Sequence, residues 1–282
     1  MYPSQPANRG AELCKEIESA ECPAPALWWL GHAGFVLKFR KAVIYVDPFL
    51  SNTPKRLIAP PLAPLEIQHA GLVLATHNDP EHLDGPTVVG ILAGSKRAKL
   101  VLPKSAAEYA NSIGIPYGRM VTTDNGLRVE YLDDRIYAVP SAHGQLDWTP
   151  SGGYPYLGYL IRFGDCTIYH SGDCVPYPDL VGRLRPFNVT VALVPISGRP
   201  VNFEIAEAAE LAKDIGARWL VPMHYGTFAS DTATCDTAHT AFETAPAADT
   251  DVNRFIAHML GHRPEQKFKI FECGEMWRIP GE

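Results

Sequence analysis

Four apolar segments of this sequence lead directly to a histidine or an aspartate, and this repeated ending constrains the fold more than any other feature. The segments are residues 71–75, 135–140, 166–169 and 218–222, and they lead to His77, His143, Asp173 and His224, respectively. Each segment is too hydrophobic for a surface strand, which predicts a strand buried within a sheet. Ligand sites of open α/β sheets collect at the carboxyl ends of strands. The four polar endings are therefore expected to meet.

The rest of the chain alternates between strand and helix patterns. Runs rich in aromatic and β-branched residues predict strands at 26–30, 35–39, 42–46, 98–103, 119–123, 127–132 and 189–196, and a hairpin at 156–163 with 166–170. Helical spacing predicts helices over 11–20, 86–93, 105–112, 203–216 and 251–262, with Gly216 as a C-terminal cap. We predict an α/β fold, an αββα sandwich of two mixed β-sheets flanked by helices. No linker separates two cores, so residues 1–282 are expected to form one domain, with 1–25 as an N-terminal extension.

Two further segments carry weaker expectations. The proline-rich residues 54–67 cannot form a regular element and are predicted to be a long surface loop. Residues 267–271 and 276–279 are predicted to form a final pair of strands.

Composition and charge limit the class of partner. The net charge is −6 and no run of Lys or Arg is present, which disfavours nucleic acid because phosphate binding needs a concentrated basic surface. No apolar stretch approaches the roughly 20 residues that span a bilayer, and the N-terminus lacks the apolar region of a signal peptide. We therefore expect a cytoplasmic protein that acts on a small molecule. Its six cysteines are expected to be reduced, with Cys14–Cys22 and Cys166–Cys174 as the pairs that an oxidising setting would allow. The oligomeric state stays open, a homo-oligomer included.

The segment ATHNDPEHLDG, residues 75–85, carries a dense cluster of oxygen and nitrogen donors. A polar turn that caps a helix is one interpretation. The other is a metal site, because a divalent ion needs several donors on rigid elements. Four local donors and the three distant ones make seven, which suits two ions that share a bridging carboxylate. The seven are His77, Asp79, Glu81, His82, His143, Asp173 and His224.

Six motifs in this sequence resemble those of the metallo-β-lactamase fold, in matching order. They are GHAGF (31–35), VDPF (46–49), THNDPEHLD (76–84), PSAHG (140–144), YHSGD (169–173) and PMHYG (222–226). The resemblance covers residues 26–230 and is nearest to the branch that contains L-ascorbate-6-phosphate lactonase. It implies one metal held by His77, Asp79 and His143, a second held by Glu81, His82 and His224, and Asp173 as the bridge.

The chain departs from the usual HxHxDH signature at two positions. Asp79 stands where the second histidine is expected, and Glu81 stands where an aspartate is expected. The donor set becomes four imidazoles and three carboxylates, in place of the usual five and two. This harder set favours Mn²⁺, with Zn²⁺ or Fe²⁺ as alternatives. Because Glu81 has an extra methylene group, the number of bound metals, one or two, stays open.

The resemblance implies hydrolysis of a small polar substrate by a metal-bound water or hydroxide. A sugar-derived lactone or phosphorylated lactone is the substrate class it suggests. Catalytic roles are expected for Asp79 and Glu81, either of which would orient the water or take its proton, and for the bridging Asp173. Alternatives of the same fold are a carboxylate-rich di-iron redox protein, a phosphodiesterase and a binding protein without catalysis.

Eight further residues are candidates for contacting the substrate or holding a ligand in place. They are His32, Asp47, Asp84, Trp148, His170, Arg199, Asn202 and Tyr225. A plain turn for Asp47, a helix cap for Asp84 and an ordinary surface position for Arg199 are the competing interpretations.

Overall fold

The computed structural model describes residues 5–54, 56–198, 200–227 and 251–281. Two seven-stranded sheets form the centre of the fold. The helices are α1 (Gly10–Ser19), α2 (Gly85–Gly94), α3 (Ala107–Ser112), α4 (Leu180–Leu184), α5 (Ile205–Asp214) and α6 (Asp251–His262).

The first sheet has the strand order β14-β1-β2-β3-β4-β5-β6. Its strands β1 to β3 are antiparallel, and β3 to β6 run parallel. The strands are β1 (Ala26–Gly31), β2 (Gly34–Phe39), β3 (Ala42–Val46), β4 (Leu72–Leu74), β5 (Lys99–Pro103), β6 (Met120–Thr123) and β14 (Met276–Arg278).

The second sheet has the order β13-β12-β11-β10-β9-β8-β7. Here β7 to β10 are antiparallel, and β10 to β13 run parallel. The strands are β7 (Arg128–Tyr131), β8 (Asp134–Pro140), β9 (Leu157–Phe163), β10 (Cys166–His170), β11 (Val191–Pro195), β12 (Trp219–Met223) and β13 (Lys267–Phe268). Both sheets are therefore mixed, as predicted.

Alternate residues of β1 face opposite layers, which shows how the sandwich is built. Leu27 and Trp29 belong to the cluster between the sheets, whereas Trp28 and Leu30 pack with Leu13 of α1 in the outer cluster. Successive side chains of a strand point to opposite faces, so helices cover the outer face of this sheet. On the second sheet, α5 and α6 are buried against the strands in the same way. Strands that are covered on both faces consist of continuous apolar residues, which explains the apolar segments in the sequence.

Most predicted elements match the structure, including the hairpin of β9 and β10 and the helix α6. Gly216 follows the end of α5 with a φ of +70°, the left-handed conformation expected of a C-terminal cap. The five cysteines within the described ranges are free thiols.

The segment 54–67 is more than a surface loop. Leu62 and Ile67 are buried in the outer cluster, and residues Pro64–Glu66 form a 3₁₀ turn. A Cβ atom at Gly94 of α2 would come within 2.5 Å of the Ile67 carbonyl oxygen. The glycine therefore lets α2 and this segment pack with their backbones in contact. Part of the proline-rich segment is thus buried against α2.

The prediction that residues 267–271 and 276–279 pair with each other is wrong. Strand β13 pairs with β12, whereas β14 pairs with β1, so the two strands lie at the edges of different sheets. Period-2 alternation identifies a strand but carries no information on its partner.

Candidate metal centre

The strand ends that the sequence analysis grouped lie at one edge of the sandwich. His32, Asp47 and Thr76 follow β1, β3 and β4 in the first sheet. His143, Asp173, Ser197 and His224 follow β8, β10, β11 and β12 in the second. Within each sheet these strands run in the same direction. Their carboxyl ends therefore share one rim.

Asp173 lies between the histidines that were expected to bind metal. Its Oδ1 atom is 3.2 Å from His82 Nε2 and 3.5 Å from His224 Nε2, and its Oδ2 atom is 3.9 Å from His143 Nε2. The Oδ2 atom of Asp79 is 3.5 Å from the Nε2 atoms of both His77 and His143. Six of the seven predicted donors thus form one continuous set. It extends from Asp79 to His224 through Asp173.

Three overlapping groups of the described residues, formed by members of this set and His32, have donor atoms within 4.8 Å of one another. They are His77 with Asp79 and His143, His77 with His82 and Asp173, and His32 with His82 and His224. The first group is the set of residues that the sequence assigned to one metal. Glu81 belongs to none of the three. Its side chain is half exposed, with a carboxylate oxygen 4.0 Å from His32 Nε2.

The donors present are chemically suited to divalent cations. His77 and His82 bury their Nε2 atoms, and within the described part of the chain neither atom forms a hydrogen bond of ordinary geometry. A buried ring nitrogen without such a bond is costly unless another partner takes its lone pair. Imidazole and carboxylate donors on rigid strand ends supply that kind of partnership to a cation.

Asp47 orients two of the histidines, His82 by direct contact and His77 through Thr76. Its buried carboxylate accepts hydrogen bonds from Thr76 N at 2.8 Å and Thr76 Oγ1 at 2.6 Å, and it lies 2.7 Å from His82 Nδ1. Thr76 Oγ1 is also 3.0 Å from His77 Nδ1. With Nδ1 of His82 engaged, its Nε2 faces Asp173. A carboxylate behind a ring in this way fixes the tautomer and orientation of a metal-binding histidine.

The electrostatics of the centre favour charged carboxylates. Burial opposes ionisation of Asp173, but the charges of His82 and His224 outweigh it and hold the pKa of Asp173 well below its ordinary value. Burial likewise lowers the pKa of His82, and the charges of Asp173 and Asp47 together raise it well above the usual value. The approach of His77 Nε2 to the Asp79 carboxylate, at 3.5 Å, is the main cause of the lowered pKa of Asp79. The carboxylates are thus ionised at neutral pH, as ligands must be.

Asn202 supports the other end of the centre. Ser197 Oγ lies 3.0 Å from His224 Nδ1. When the Asn202 amide is oriented so that its oxygen accepts from Ser197 Oγ, its nitrogen donates to Asp173 Oδ1 at 3.3 Å. Asn202 is almost fully buried, so it orients Asp173 and His224 together.

His170 lies next to the centre, but both of its ring nitrogens contact backbone atoms. Its Nε2 atom is 2.8 Å from the Ala33 carbonyl oxygen, and its Nδ1 atom accepts from Gly172 N at 3.2 Å. Both ring nitrogens are therefore used in joining β10 to the turn after β1. This placement fits a role in holding Asp173 in position.

The remaining candidates lie farther from the donors. Asp84 occupies the N-cap position of α2, and its carboxylate accepts from Ser51 N and Ser51 Oγ. The Tyr225 ring stacks on Trp29, with centroids 5.0 Å apart, and its hydroxyl faces the Phe271 carbonyl. Tyr225 is thus a core residue. Trp148 is 57% exposed in the segment after His143, and Arg199 lies outside the described residues.

Sequence reasoning missed four residues of this centre. Tyr156 stacks on the His143 ring at 4.5 Å, and Ser141 donates to the Asp173 carbonyl oxygen at 2.9 Å. Thr76 and Ser197 contact His77 and His224, as described above. A hydroxyl residue one or two positions before a ligand was the signal available for Thr76 and Ser141. The sequence held no comparable signal for Tyr156.

The sequence and the fold of this chain are similar to those of known proteins. A family profile described as the beta-lactamase superfamily domain matches residues 26–224. A UPF0173 metal-dependent hydrolase from Thermococcus kodakarensis is 32% identical over 208 residues, which cover 71% of this chain and 84% of that protein.

Two solved structures share the fold at lower identity. The metallo hydrolase Igni18 from Ignicoccus hospitalis is 22% identical with a TM-score of 0.66, covering 90% of this chain and 97% of that one. CmlA, a diiron β-hydroxylase from Streptomyces venezuelae, is 17% identical with a TM-score of 0.66, covering 92% of this chain and 55% of that one. Among the described helices, none combines the length and apolarity needed to cross a bilayer. On the profile match and the identity to its archaeal relative, the chain belongs to the UPF0173 metal-dependent hydrolase family of the β-lactamase superfamily.

Proposed function

We propose that this protein hydrolyses a small polar substrate, a sugar-derived lactone or phosphorylated lactone, with one or two divalent cations at the strand-end centre. The observation that carries the proposal is the position of Asp173. Its two carboxylate oxygens face different histidines, His82 and His224 on one side and His143 on the other. A carboxylate shared in this way is typical of a bridging ligand between two cations.

The residues have separable roles in the proposed reaction. A divalent cation held by these residues would lower the pKa of a bound water towards neutrality and so would supply the nucleophile. Asp79 is 42% exposed while it contacts His77 and His143, so its carboxylate can reach both the centre and the solvent. We assign Asp79 the task of orienting the attacking water and accepting its proton. The buried Asp173 holds the two halves of the centre together.

The fold also hosts oxidative chemistry, and the carboxylate-rich donor set keeps that alternative open. CmlA is a diiron β-hydroxylase, and this chain matches 55% of it. The family relatives that are named as metal-dependent hydrolases match at higher identity, and this chain covers 80% to 84% of their length. Hydrolysis is therefore the better supported proposal. Oxygen consumption by the iron-loaded protein would favour the alternative.

Metal content and activity together test the proposal. The protein is loaded with Mn²⁺, Zn²⁺ or Fe²⁺ and assayed against a panel of lactones, esters and phosphodiesters. Asp173→Ala is expected to lose both bound cation and hydrolysis, because it removes the shared carboxylate. Asp179→Asn is the matched control, since Asp179 pairs with Arg183 on the surface. The proposal fails if no substrate of the panel is hydrolysed and Asp173→Ala keeps the full metal content.

A further inference from the structure

His32 is held rigidly at the edge of the centre by its backbone. Its carbonyl oxygen accepts from His224 N and from Trp29 Nε1, both at 3.0 Å, and its amide donates to Thr227 Oγ1 at 2.7 Å. The residue is almost fully buried and adopts a φ of +53°. A non-glycine residue in the left-handed conformation is uncommon and is maintained by its surroundings. The His32 ring is therefore fixed in place.

That fixed ring faces two of the predicted ligands. His32, His82 and His224 each offer a nitrogen, and the three nitrogens lie within 4.8 Å of one another. The centroid of the His32 ring is 3.8 Å from that of His224 and 5.8 Å from that of His82. His82 and His224 both reach the same oxygen of Asp173. The three imidazole nitrogens thus lie close together, and Asp173 Oδ1 contacts two of the rings, so these residues supply the number of donors in a four-coordinate site.

Glu81 occupies a different position from the one its place in the signature suggests. Its carboxylate is half exposed and lies 4.0 Å from His32 Nε2. The donor groups within 4.8 Å that the described residues form do not include it.

We propose that His32, and not Glu81, is the donor that completes the second cation site with His82, His224 and Asp173. The inference rests on the proposed function, since it assigns the ligands of the same centre. The second site then has three imidazoles, whereas the first has His77 and His143 with the carboxylates of Asp79 and Asp173. Imidazole-rich sites suit Zn²⁺ and Fe²⁺, and carboxylate-rich sites suit Mn²⁺. The two sites therefore differ in metal preference, and Glu81 lies outside the ligand set.

The variants are chosen so that the backbone is preserved. His32→Asn removes the imidazole, and asparagine tolerates a positive φ better than most residues. Glu81→Gln keeps the size of the side chain and removes its charge. His262→Asn is the matched control for the loss of one histidine, because His262 is exposed at the end of α6. Circular dichroism and thermal unfolding of each variant check that the fold is retained.

The measurement is cation stoichiometry and affinity, independent of turnover. Each protein is stripped with a chelator and titrated with Zn²⁺ and with Mn²⁺, and bound metal is counted by elemental analysis. The parent protein, Glu81→Gln and His262→Asn are expected to bind two Zn²⁺ ions. His32→Asn is expected to bind one, or to bind the second more than about 100-fold more weakly, because loss of a ligand costs more than the roughly 10- to 100-fold caused by loss of a residue that only orients a ligand. In Co²⁺-loaded protein, the visible absorption of one site is expected to disappear with His32.

Three results would overturn the inference. His32→Asn could keep both ions at the affinity of the parent protein. Glu81→Gln could lose the second ion while His32→Asn retains it. The parent protein could bind a single ion that His32→Asn leaves unchanged, which would refute the His32 site and leave the proposed hydrolysis standing. A parent protein that binds no cation would instead overturn the proposed function itself.

Discussion

Asp47→Asn tests whether the residues behind the ligands control cation binding. Asp47 is fully buried, and its carboxylate serves three donors, Thr76 N, Thr76 Oγ1 and His82 Nδ1. Asparagine has nearly the same shape but offers one oxygen and one NH₂ group. The oxygen can still accept from Thr76 N at the position of Oδ1. The NH₂ group then takes the position of Oδ2, where it faces both His82 Nδ1 and Thr76 Oγ1.

The expected change in cation affinity follows from the lost contact between the side chain of residue 47 and His82 Nδ1. A hydrogen bond to a charged group contributes about 1.5–3 kcal/mol. When His82 Nε2 faces a cation, its Nδ1 carries the proton, and the NH₂ group of asparagine cannot accept it. A loss of about 2 kcal/mol corresponds to roughly 30-fold weaker binding. We therefore expect Asp47→Asn to weaken cation binding between 10- and 100-fold, while the hydrogen bond from Thr76 N to the side chain of residue 47 is retained.

Asp84→Asn is the matched control for this variant. Asp84 is also buried and also accepts from backbone and hydroxyl groups, those of Ser51 and Thr87, but it contacts none of the ligand rings. Cation affinity is measured by competition with a metal-buffered indicator, and stability by urea unfolding of the metal-free protein. If Asp47→Asn binds cations as tightly as the parent protein, the orienting role of Asp47 is refuted. Equal losses of affinity in both variants would show a general packing effect.

Three other perturbations have expected outcomes. A Cβ atom at Gly172 would lie 2.9 Å from Thr76 Cβ, whereas Gly164 has a similar φ and open space around it, so urea unfolding should show a loss of about 3 kcal/mol for Gly172→Ala and about 1 kcal/mol for Gly164→Ala. Chelation of the cations should lower the thermal midpoint by about 5 to 10 °C relative to protein held at 100 times the dissociation constant. Burial lowers the pKa of His69 to about 4, so protonation favours the unfolded state. Stability should therefore fall by about 2 kcal/mol as pH drops from 6.5 to 4, after discounting for the exposed part of the ring, and His69→Gln should abolish this dependence in urea unfolding at a series of pH values.

The strand ends could be predicted from the sequence because burial produces an apolar run and the site chemistry places a polar residue after it. The runs before His77 and His224 are continuous and apolar because both faces of β4 and β12 are covered. The polar residue that follows each run lies at the sheet edge by the geometry of parallel strands. Because the apolar runs and the polar residues after them indicate the same end of each sheet, the convergence of distant donors could be predicted.

The choice between His32 and Glu81 could not be predicted in the same way. The signature places Glu81 among the ligands, but the direction of its carboxylate depends on side-chain length and on the neighbouring rings. The approach of His32 to His224 depends on pairing between their backbones, because His224 N donates to the His32 carbonyl oxygen. That contact joins residues on two different sheets. Spacing within one sequence carries no information about such a contact.

Backbone conformation at the strand ends explains why the donors converge. Of the seven non-glycine residues with positive φ in the described ranges, three lie at this centre, namely His32, Asp47 and His224. Each follows a strand, and the left-handed turn redirects the chain so that the side chain points across the rim. Such conformations cost about 1–3 kcal/mol each and persist here because the backbone groups of these residues are hydrogen-bonded to neighbouring strand ends. The fold therefore bears the cost of this geometry without a cation, and we expect the cation affinity of the proposed centre to depend on residues such as Thr227 and Asp47, which are not among the proposed ligands.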